Sequence, residues 1–541
     1  MMARSRRSRS LVAAAAAVLA VAVLVTAAAL VRPGAPSPVA TLYGGAGTLR
    51  GMGAVLPTGE SVATEPVAGW GFRPGQSAFF STLSPSGEVL VGTNPQTDNQ
   101  SFATADHMSI GVFDPARNTF RNLVIPTSTG ALSATSPFQP VGGASVETLL
   151  PVTVGGRPRI AFISLLPYHG WNVAEKGLYP SLGYLDVTAD GVRYNPELSR
   201  TADQIHARGG LSAEACPLRT NLFGQQVAHC RGLGEMDLLP LSRTLVMTQY
   251  FPDRAQGQHS GRIIVMDTDG TVLAQYVYPN IPDGRGGFLQ VNPRGVAADP
   301  TARGDREHFT VVFDVTGGSP KPEFPIQEFA YERSSKRIIP VSRPVLTGQR
   351  NAAGERYRFE TMRYDAAGNL WATQAVPGSL AGGPMVVYAN VDGKRRLQTA
   401  CPAGPGWDGE GWGSACPPDR TAPGTADYGQ TRSLVQDPAS GMMLAATFGG
   451  YLMRVQPSGG GADLRLTTLP PVSLGLGKLV DRRTHHVGVR TGVVDPKGRA
   501  LYVPVVQTQP PAGCPTWPGP KACPPRPLDQ WLYRFNLDIL A

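Results

Sequence analysis

One unit returns again and again along this 541-residue chain: a β-rich run, a tight turn carrying Asp, Pro or Gly, then a second β-rich run. Its clearest copies are Arg294-Gly-Val-Ala-Ala-Asp299-Pro300, Glu360-Thr-Met-Arg-Tyr-Asp365-Ala-Ala-Gly368, Arg432-Ser-Leu-Val-Gln-Asp437-Pro438 and Arg490-Thr-Gly-Val-Val-Asp495-Pro496-Lys-Gly498. Looser copies turn at Pro85, Pro151 and Pro240, so successive turns stand at 85, 151, 240, 299, 365, 437 and 495. That spacing is one propeller blade, enlarged by loop insertions. The widest gap, from 151 to 240, holds Cys216 and Cys230.

A second set of turns falls inside each unit, where the last hairpin of a blade belongs. These are Asp114–Asn118, Asp190-Gly191, Asp269-Gly270, Ser334-Ser335, Asp392-Gly393 and Pro457–Gly459. Asp-Gly between apolar runs is a strong hairpin signal. The final unit reaches Trp531–Asp538 and stops short of a fourth strand. An open edge invites aggregation, so a strand from residues 40–75 is expected to close the ring. The expected fold is therefore all-β: one β-propeller of seven four-stranded blades, preceded by an N-terminal apolar helix. Six or eight blades are alternative counts, and two β-sandwiches in tandem are the alternative architecture. Gly 64, Pro 50 and only 16% charged residues suit a turn-rich β protein better than a helical one.

Arg4, Arg6, Arg7 and Arg9 precede an apolar run from Leu11 to Val31, broken only by Thr26. A positive start before such a run is an export signal. Its length suffices to cross a bilayer, while Ala27–Ala29 offers a cleavage site, so anchor and cleaved signal both stay open. The expected division is 1–32 signal peptide or signal-anchor helix, 33–75 linker and ring-closing strand, and 76–541 propeller. The expected address is extracytoplasmic, membrane-anchored through residues 11–31 or secreted. Outside the Arg-rich start, 44 basic residues face 40 acidic ones with no basic-aromatic run, which excludes a nucleic-acid partner as an expectation. Six cysteines form three local pairs in Gly/Pro-rich stretches: Cys216 with Cys230, Cys401 with Cys416, Cys514 with Cys523. In an exported chain this spacing reads as three loop-stapling disulfides rather than zinc sites.

The segment Asp365-Ala-Ala-Gly368-Asn369-Leu370-Trp371-Ala372-Thr373 resembles the blades of the streptogramin-lyase-like and gluconolactonase-like families. There a D-x-x-G-N-L-W-x-T segment links the two inner strands. Asp495–Val503 and Ser84–Val91 are similar. The resemblance implies a propeller over most of 76–541. It implies no activity, since the same blade serves enzymes, receptors and scaffolds, and the families' catalytic His and acidic metal ligands do not map onto this chain.

Five residues before the inner turn the chain repeatedly places a charge: Glu235, Arg294, Glu360, Arg432 and Arg490. Glu147 is one place off, and Phe80 breaks the pattern in the first blade. Equivalent blade positions point to equivalent places around an axis, so these residues are expected to converge at one channel mouth. Arginines there suit an anionic or sugar-like ligand. Glu235 and Glu360 are the candidate ligands of a calcium or other divalent ion. Structural ion pairs between blades explain the same pattern. His485-His486, His169-Gly-Trp171-Asn172 and the Trp407–Trp412 loop are lesser candidates. The expected function is a binding or scaffold module for a cell-envelope ligand or a protein partner, a saccharide being one such ligand. The alternative is a secreted lyase or hydrolase acting on a carbohydrate or lactone. Nucleophile-elbow, zinc-protease and phosphate-loop motifs are absent from the sequence.

Overall fold

The computed structural model describes the strands and turns given below, all within residues 54–540; residues 1–53 and 126–144, 166–179, 206–217, 250–260, 317–325, 342–357, 376–384, 401–432, 474–485 and 510–525 are among those outside the description. The expected N-terminal helix, the six cysteines, Arg432, Arg490, His169, His485 and the Trp407–Trp412 loop fall outside it. Among the described residues no helix is long and apolar enough to cross a membrane.

Seven antiparallel sheets follow one another along the chain, each running outward from an innermost strand in sequence order. The first is Gln76–Leu83, Val89–Pro95, Met108–Asp114 and Thr119–Ile125. The second is Ser145–Val154, Arg157–Leu165, Leu182–Thr188 and Gly191–Arg200. The third is Leu233–Leu238, Leu245–Gln249, Arg262–Met266 and Val272–Val277. The fourth runs through Phe288–Ala298, Arg306–Thr316, Ile326–Glu332 and Arg337–Pro340. The fifth is Arg358–Tyr364, Leu370–Ala375, Met385–Val391 and Lys394–Ala400. The sixth begins Val435–Gln436, Met443–Ala446, Tyr451–Ser458 and Arg465–Ser473. In the seventh, His486–Val489 and Val493–Asp495 both pair with Ala500–Gln509, which pairs with Arg526–Asn536. Innermost strands of the first five sheets lie against one another in turn, as do those of the sixth and seventh sheets and of the seventh and first. The fold is a seven-bladed β-propeller around an axial channel.

The inner turns fall where Asp and Pro announced them, with one correction. Pro151 is not a turn: it sits within the innermost strand of the second sheet, opposite Ile160, and the chain reverses at Gly155–Gly156. An innermost strand has a free edge toward the channel, where a missing N–H is tolerated. Two glycines at φ 58° and 75° supply the reversal without the Asp/Pro signal.

Asp365 shows why the D-x-x-G-N-L-W pattern recurs in blades. Its carboxylate accepts the Ala367 and Asn369 backbone N–H groups, the Asn369 side-chain amide and the Trp371 indole N–H, all at 2.8–2.9 Å. One acid thus fixes the turn and the orientation of a fully buried tryptophan. The motif is a folding device.

Between neighbouring sheets lies apolar packing. Leu90 and Ile110 meet Val146 and Phe162, Ile163 and Tyr184 meet Met236 and Leu245, and Ile263 and Val265 meet Phe309 and Phe313. Ala297 and Val312 meet Phe359 and Leu370, Trp371 and Val387 meet Met443 and Val455, and Tyr502 and Leu532 meet Val89 and Phe113. The sixth and seventh sheets are joined differently. Arg499 donates to both oxygens of the buried Asp437 at 2.7 and 3.2 Å, and the Gly492 N–H donates to Ser433 Oγ at 2.8 Å.

Early residues complete the last two sheets. Ala54–Val55 pairs with Ser61–Val62 and, through Val55, with Ser473 of the sixth sheet. Glu65–Pro66 pairs with Arg534 and Tyr533 and is the fourth strand of the seventh. Sequence-distant strands on adjacent blades are therefore clasped by one short stretch.

Candidate functional site

The innermost strands of the first five sheets share a defect in register. In the second sheet the pairing steps by one residue between Val146↔Ser164 and Thr148↔Ile163, leaving Glu147 as the extra residue. The fourth steps between Pro293 and Gly295, with Arg294 extra. The fifth steps between Phe359 and Thr361, with Glu360 extra. In the first and third sheets two residues, Phe79–Phe80 and Gly234–Glu235, face one. In the seventh, Val489↔Val505 is followed by Val493↔Tyr502 on the next described strand. A bulge bends its strand and re-aims the side chain it carries. Glu147, Glu235, Arg294 and Glu360 all sit in these bulges. Counted from the bulge instead of the turn, Glu147 is no longer displaced. The third sheet differs by one place: Leu233 and Met236 both pack toward the second sheet, so its charge takes the later of the two bulged positions.

Three of the predicted residues meet across three consecutive blades. Arg294 Nη2 lies 2.9 Å from Glu360 Oε2; the carboxylate side chain is wholly inaccessible, whereas the arginine keeps 21% of its surface. Glu235 is half-buried. Its carboxylate rests against the backbone of Gly295, where a Cβ would come within 2.7 Å of Oε2, so glycine there makes room for the acid beside Arg294. Thr248 Oγ1 accepts the Glu235 N–H at 3.1 Å and lies 3.4 Å from the Glu235 and Arg294 carbonyls. The bulge is thus tied to the next blade by a buried hydroxyl.

Each residue has a distinct environment. The Glu360 side chain is wholly inaccessible and holds Arg294 in place. Arg294 keeps part of its side-chain surface accessible, while its Nη1 is buried. The side chain of Glu147 lies outside the described residues, as do Arg432 and Arg490. Among the described residues no three His, Cys, Asp or Glu side chains gather as a metal site.

Several polar residues near this layer escaped the sequence reading. Gln374, opposite Phe359 and beside the Glu360 bulge, is fully buried. Neither its Nε2 nor its Oε1 has a hydrogen-bond partner among the described residues. Thr248, Gln249 and Thr373 are also buried on second strands. The signal was a polar residue interrupting an apolar strand, which is visible in sequence but not distinctive. Asp237 and Arg363 on innermost strands were missed for the same reason.

A seven-bladed propeller with a charged, bulged layer on its inner strands is the class defined by this fold and site. No protein-family model and no curated protein sequence matches the chain. It is similar to solved structures at low identity. The Dos1 propeller aligns at 8% identity and TM-score 0.41, over 86% of this chain and 94% of that one. A putative 6-phosphogluconolactonase from Bacteroides uniformis aligns at 10% and 0.38, over 76% and 89%. A polysaccharide lyase described as an ulvan lyase aligns at 9% and 0.40, over 86% and 95%. Likenesses this distant carry no activity with them.

Proposed function

We propose that this chain is an exported β-propeller, anchored at or released from the outer face of a membrane, that binds an acidic saccharide or other anionic cell-envelope ligand at its bulged channel mouth. The observation that carries the reading is Arg294: its guanidinium is held by the wholly inaccessible Glu360 carboxylate, and its side chain keeps 21% of its surface although Nη1 is buried. An arginine fork fixed in this way is pre-organised for a carboxylate or similar anion. Gln374 supports a polar ligand in the same layer, because buried amide groups are completed by a protein, water or ligand partner. The Arg-rich, apolar N-terminus supports the address.

A second reading rests on Glu235, a half-buried carboxylate beside Arg294. An acid and a cation at one mouth are the parts a lyase or hydrolase of carbohydrate or lactone requires. The two readings separate in one experiment on the purified full chain. Acidic and neutral oligosaccharides are screened by thermal shift, and every hit is followed for product by mass spectrometry. Retention of an intact acidic ligand supports the binding module; turnover abolished by Glu235→Gln supports the enzyme. Equal response to neutral and acidic saccharides overturns the Arg294 assignment.

A further inference from the structure

Two turns of the fourth sheet stand side by side at one end of the blade. The inner one joins Phe288–Ala298 to Arg306–Thr316, and the outer one joins Ile326–Glu332 to Arg337–Pro340. They are bonded to each other. The Arg333 N–H donates to the Asp305 carbonyl at 3.0 Å, and its guanidinium donates to the Gly304 carbonyl at 2.6 Å. Ser334 donates its N–H and its hydroxyl to the Asp305 carboxylate at 3.0 and 2.5 Å. Arg306 donates to Glu332 Oε1 at 3.2 Å, and Ser335 Oγ donates to Oε2 at 2.6 Å. The two turns therefore present one surface.

That surface is unevenly charged. Arg303, Arg306, Arg333, Lys336 and Arg337 are all exposed, and the acids among them are Asp305 and Glu332, both engaged in the bonds just given. The other acids of this end, Asp299 and Glu307, are buried. Asp299 accepts from Thr301, and Glu307 accepts the Leu241 and Ser242 N–H groups of the third sheet. Arg306, Glu332 and Arg337 stand in a row across three strands, yet Glu332 is bonded to Arg306 and not to Arg337. The side chains of Arg303, Lys336 and Arg337 make no hydrogen bond or ion pair with any described residue. Arg243, exposed at φ 59° on the third-sheet turn that Glu307 holds, is likewise unbonded in its side chain. The outer turn of the third sheet, by contrast, carries Asp267 and Asp269. Four unbonded cations on adjacent turns create a local positive potential that their own sheets do not neutralise.

We propose that these turns are a docking surface for a linear polyanion, a polymer that repeats carboxylate or phosphate groups along its length. The unbonded cations stand on exposed turns of two sheets, which suits an extended row of charges rather than one small ion. Guanidinium forks match carboxylate and phosphate oxygens alike. Each contact releases counterions, so the interaction weakens with salt. Arg294 lies five residues before Asp299 on the innermost strand, about 16 Å away by strand rise. The surface is therefore separate from the channel mouth and does not depend on that reading.

The test is calorimetric titration of the full chain with sodium polyphosphate and with sodium polygalacturonate, at low and high sodium chloride, with neutral dextran as reference. Binding of at least one polyanion, weakened by salt, is expected, and the two arms tell a phosphate polymer from a carboxylate one. Replacing Arg303→Gln, Lys336→Gln and Arg337→Gln together should weaken it about tenfold or more, at a few-fold per exposed charge contact. Those side chains bond to nothing, so the melting temperature should hold. The same loss of charge on other blades, Arg117→Gln with Arg193→Gln and Lys497→Gln, should weaken binding far less, as should Arg294→Lys. No polyanion binding by the unaltered chain overturns the proposal without reference to any variant. Equal loss in the two triple variants overturns it too, because net charge alone would then be responsible. Unchanged affinity in the first triple variant overturns it and moves the contact elsewhere; if that variant loses binding to phosphatidylglycerol vesicles alone, the surface belongs to a membrane instead. Loss in Arg294→Lys as large as in the first triple variant would place the polymer at the mouth, overturning this proposal and leaving the mouth reading standing.

Discussion

Arg294 of the fourth blade and Glu360 of the fifth form an ion pair of 2.9 Å in which only the arginine keeps solvent contact. The asymmetry assigns different roles to two residues that occupy equivalent bulges. Removing the buried acid's partner or the acid itself leaves a charge without compensation, which costs about 3–5 kcal/mol in comparable pairs. Glu360→Ala is therefore expected to lower unfolding stability by about that amount. Replacing both residues together, as Arg294→Met with Glu360→Leu, should recover most of the loss. Urea denaturation of the single and double variants checks this; an additive double variant would show that the pair is not coupled.

The sixth and seventh blades rest on Asp437 and Arg499, and this junction should be acid-sensitive. Burial pushes the Asp437 carboxyl up, but hydrogen bonds from Arg499 and Ser440 outweigh it and bring its pKa down to about 2. A carboxylate with a depressed folded-state pKa stabilises the fold above its unfolded value. That contribution fades as pH falls from about 4 towards about 2, and its full size is on the order of 2 kcal/mol. Arg499→Ala should destabilise the chain by about 2–3 kcal/mol at neutral pH and flatten this part of the acid profile. Thermal melts at stepped pH read both effects.

Residues 54–66 pair with the sixth and seventh sheets, so a chain beginning at residue 76 should lose closure at that junction. We expect it to melt earlier and less cooperatively than one beginning at residue 43. Matching melts would show that Glu65–Pro66 is dispensable.

The cysteine pairs are expected to be bonded 216–230, 401–416 and 514–523. In the chain-entropy model a loop of this length is worth about 3 kcal/mol. Peptide mapping without reduction checks the assignment, and any peptide joining cysteines of different pairs refutes it.

The architecture was legible because turns are local. Asp365, Asp437 and Asp495 each fix a hairpin through their own neighbours' N–H groups, so the period could be read from single residues. Pro151 misled because proline marks a free edge as well as a turn, and Gly155–Gly156 carries neither Asp nor Pro. The candidate layer was legible only as charges at a common offset. The bulge that selects Glu147, Arg294 and Glu360 is a register step between strands, and no residue type announces it. The contrast between hidden Glu360 and presented Arg294 depends on which blade covers which side chain, a tertiary fact.

The central claim is that Arg294 reads an anionic ligand at the channel mouth, and binding of acidic oligosaccharides to variants at this residue tests it most directly. Arg294→Lys keeps Glu360 paired but removes the planar fork, so the fold should persist while recognition fails. The double variant Arg294→Gln with Glu360→Gln removes both charges and serves as a second control on stability. In a thermal-shift and calorimetric series, the unaltered chain should bind at least one acidic oligosaccharide, Arg294→Lys should bind it about tenfold more weakly, and the double variant should not bind it. Undiminished affinity in both variants would contradict the account and reduce the bulged layer to a set of ties between blades.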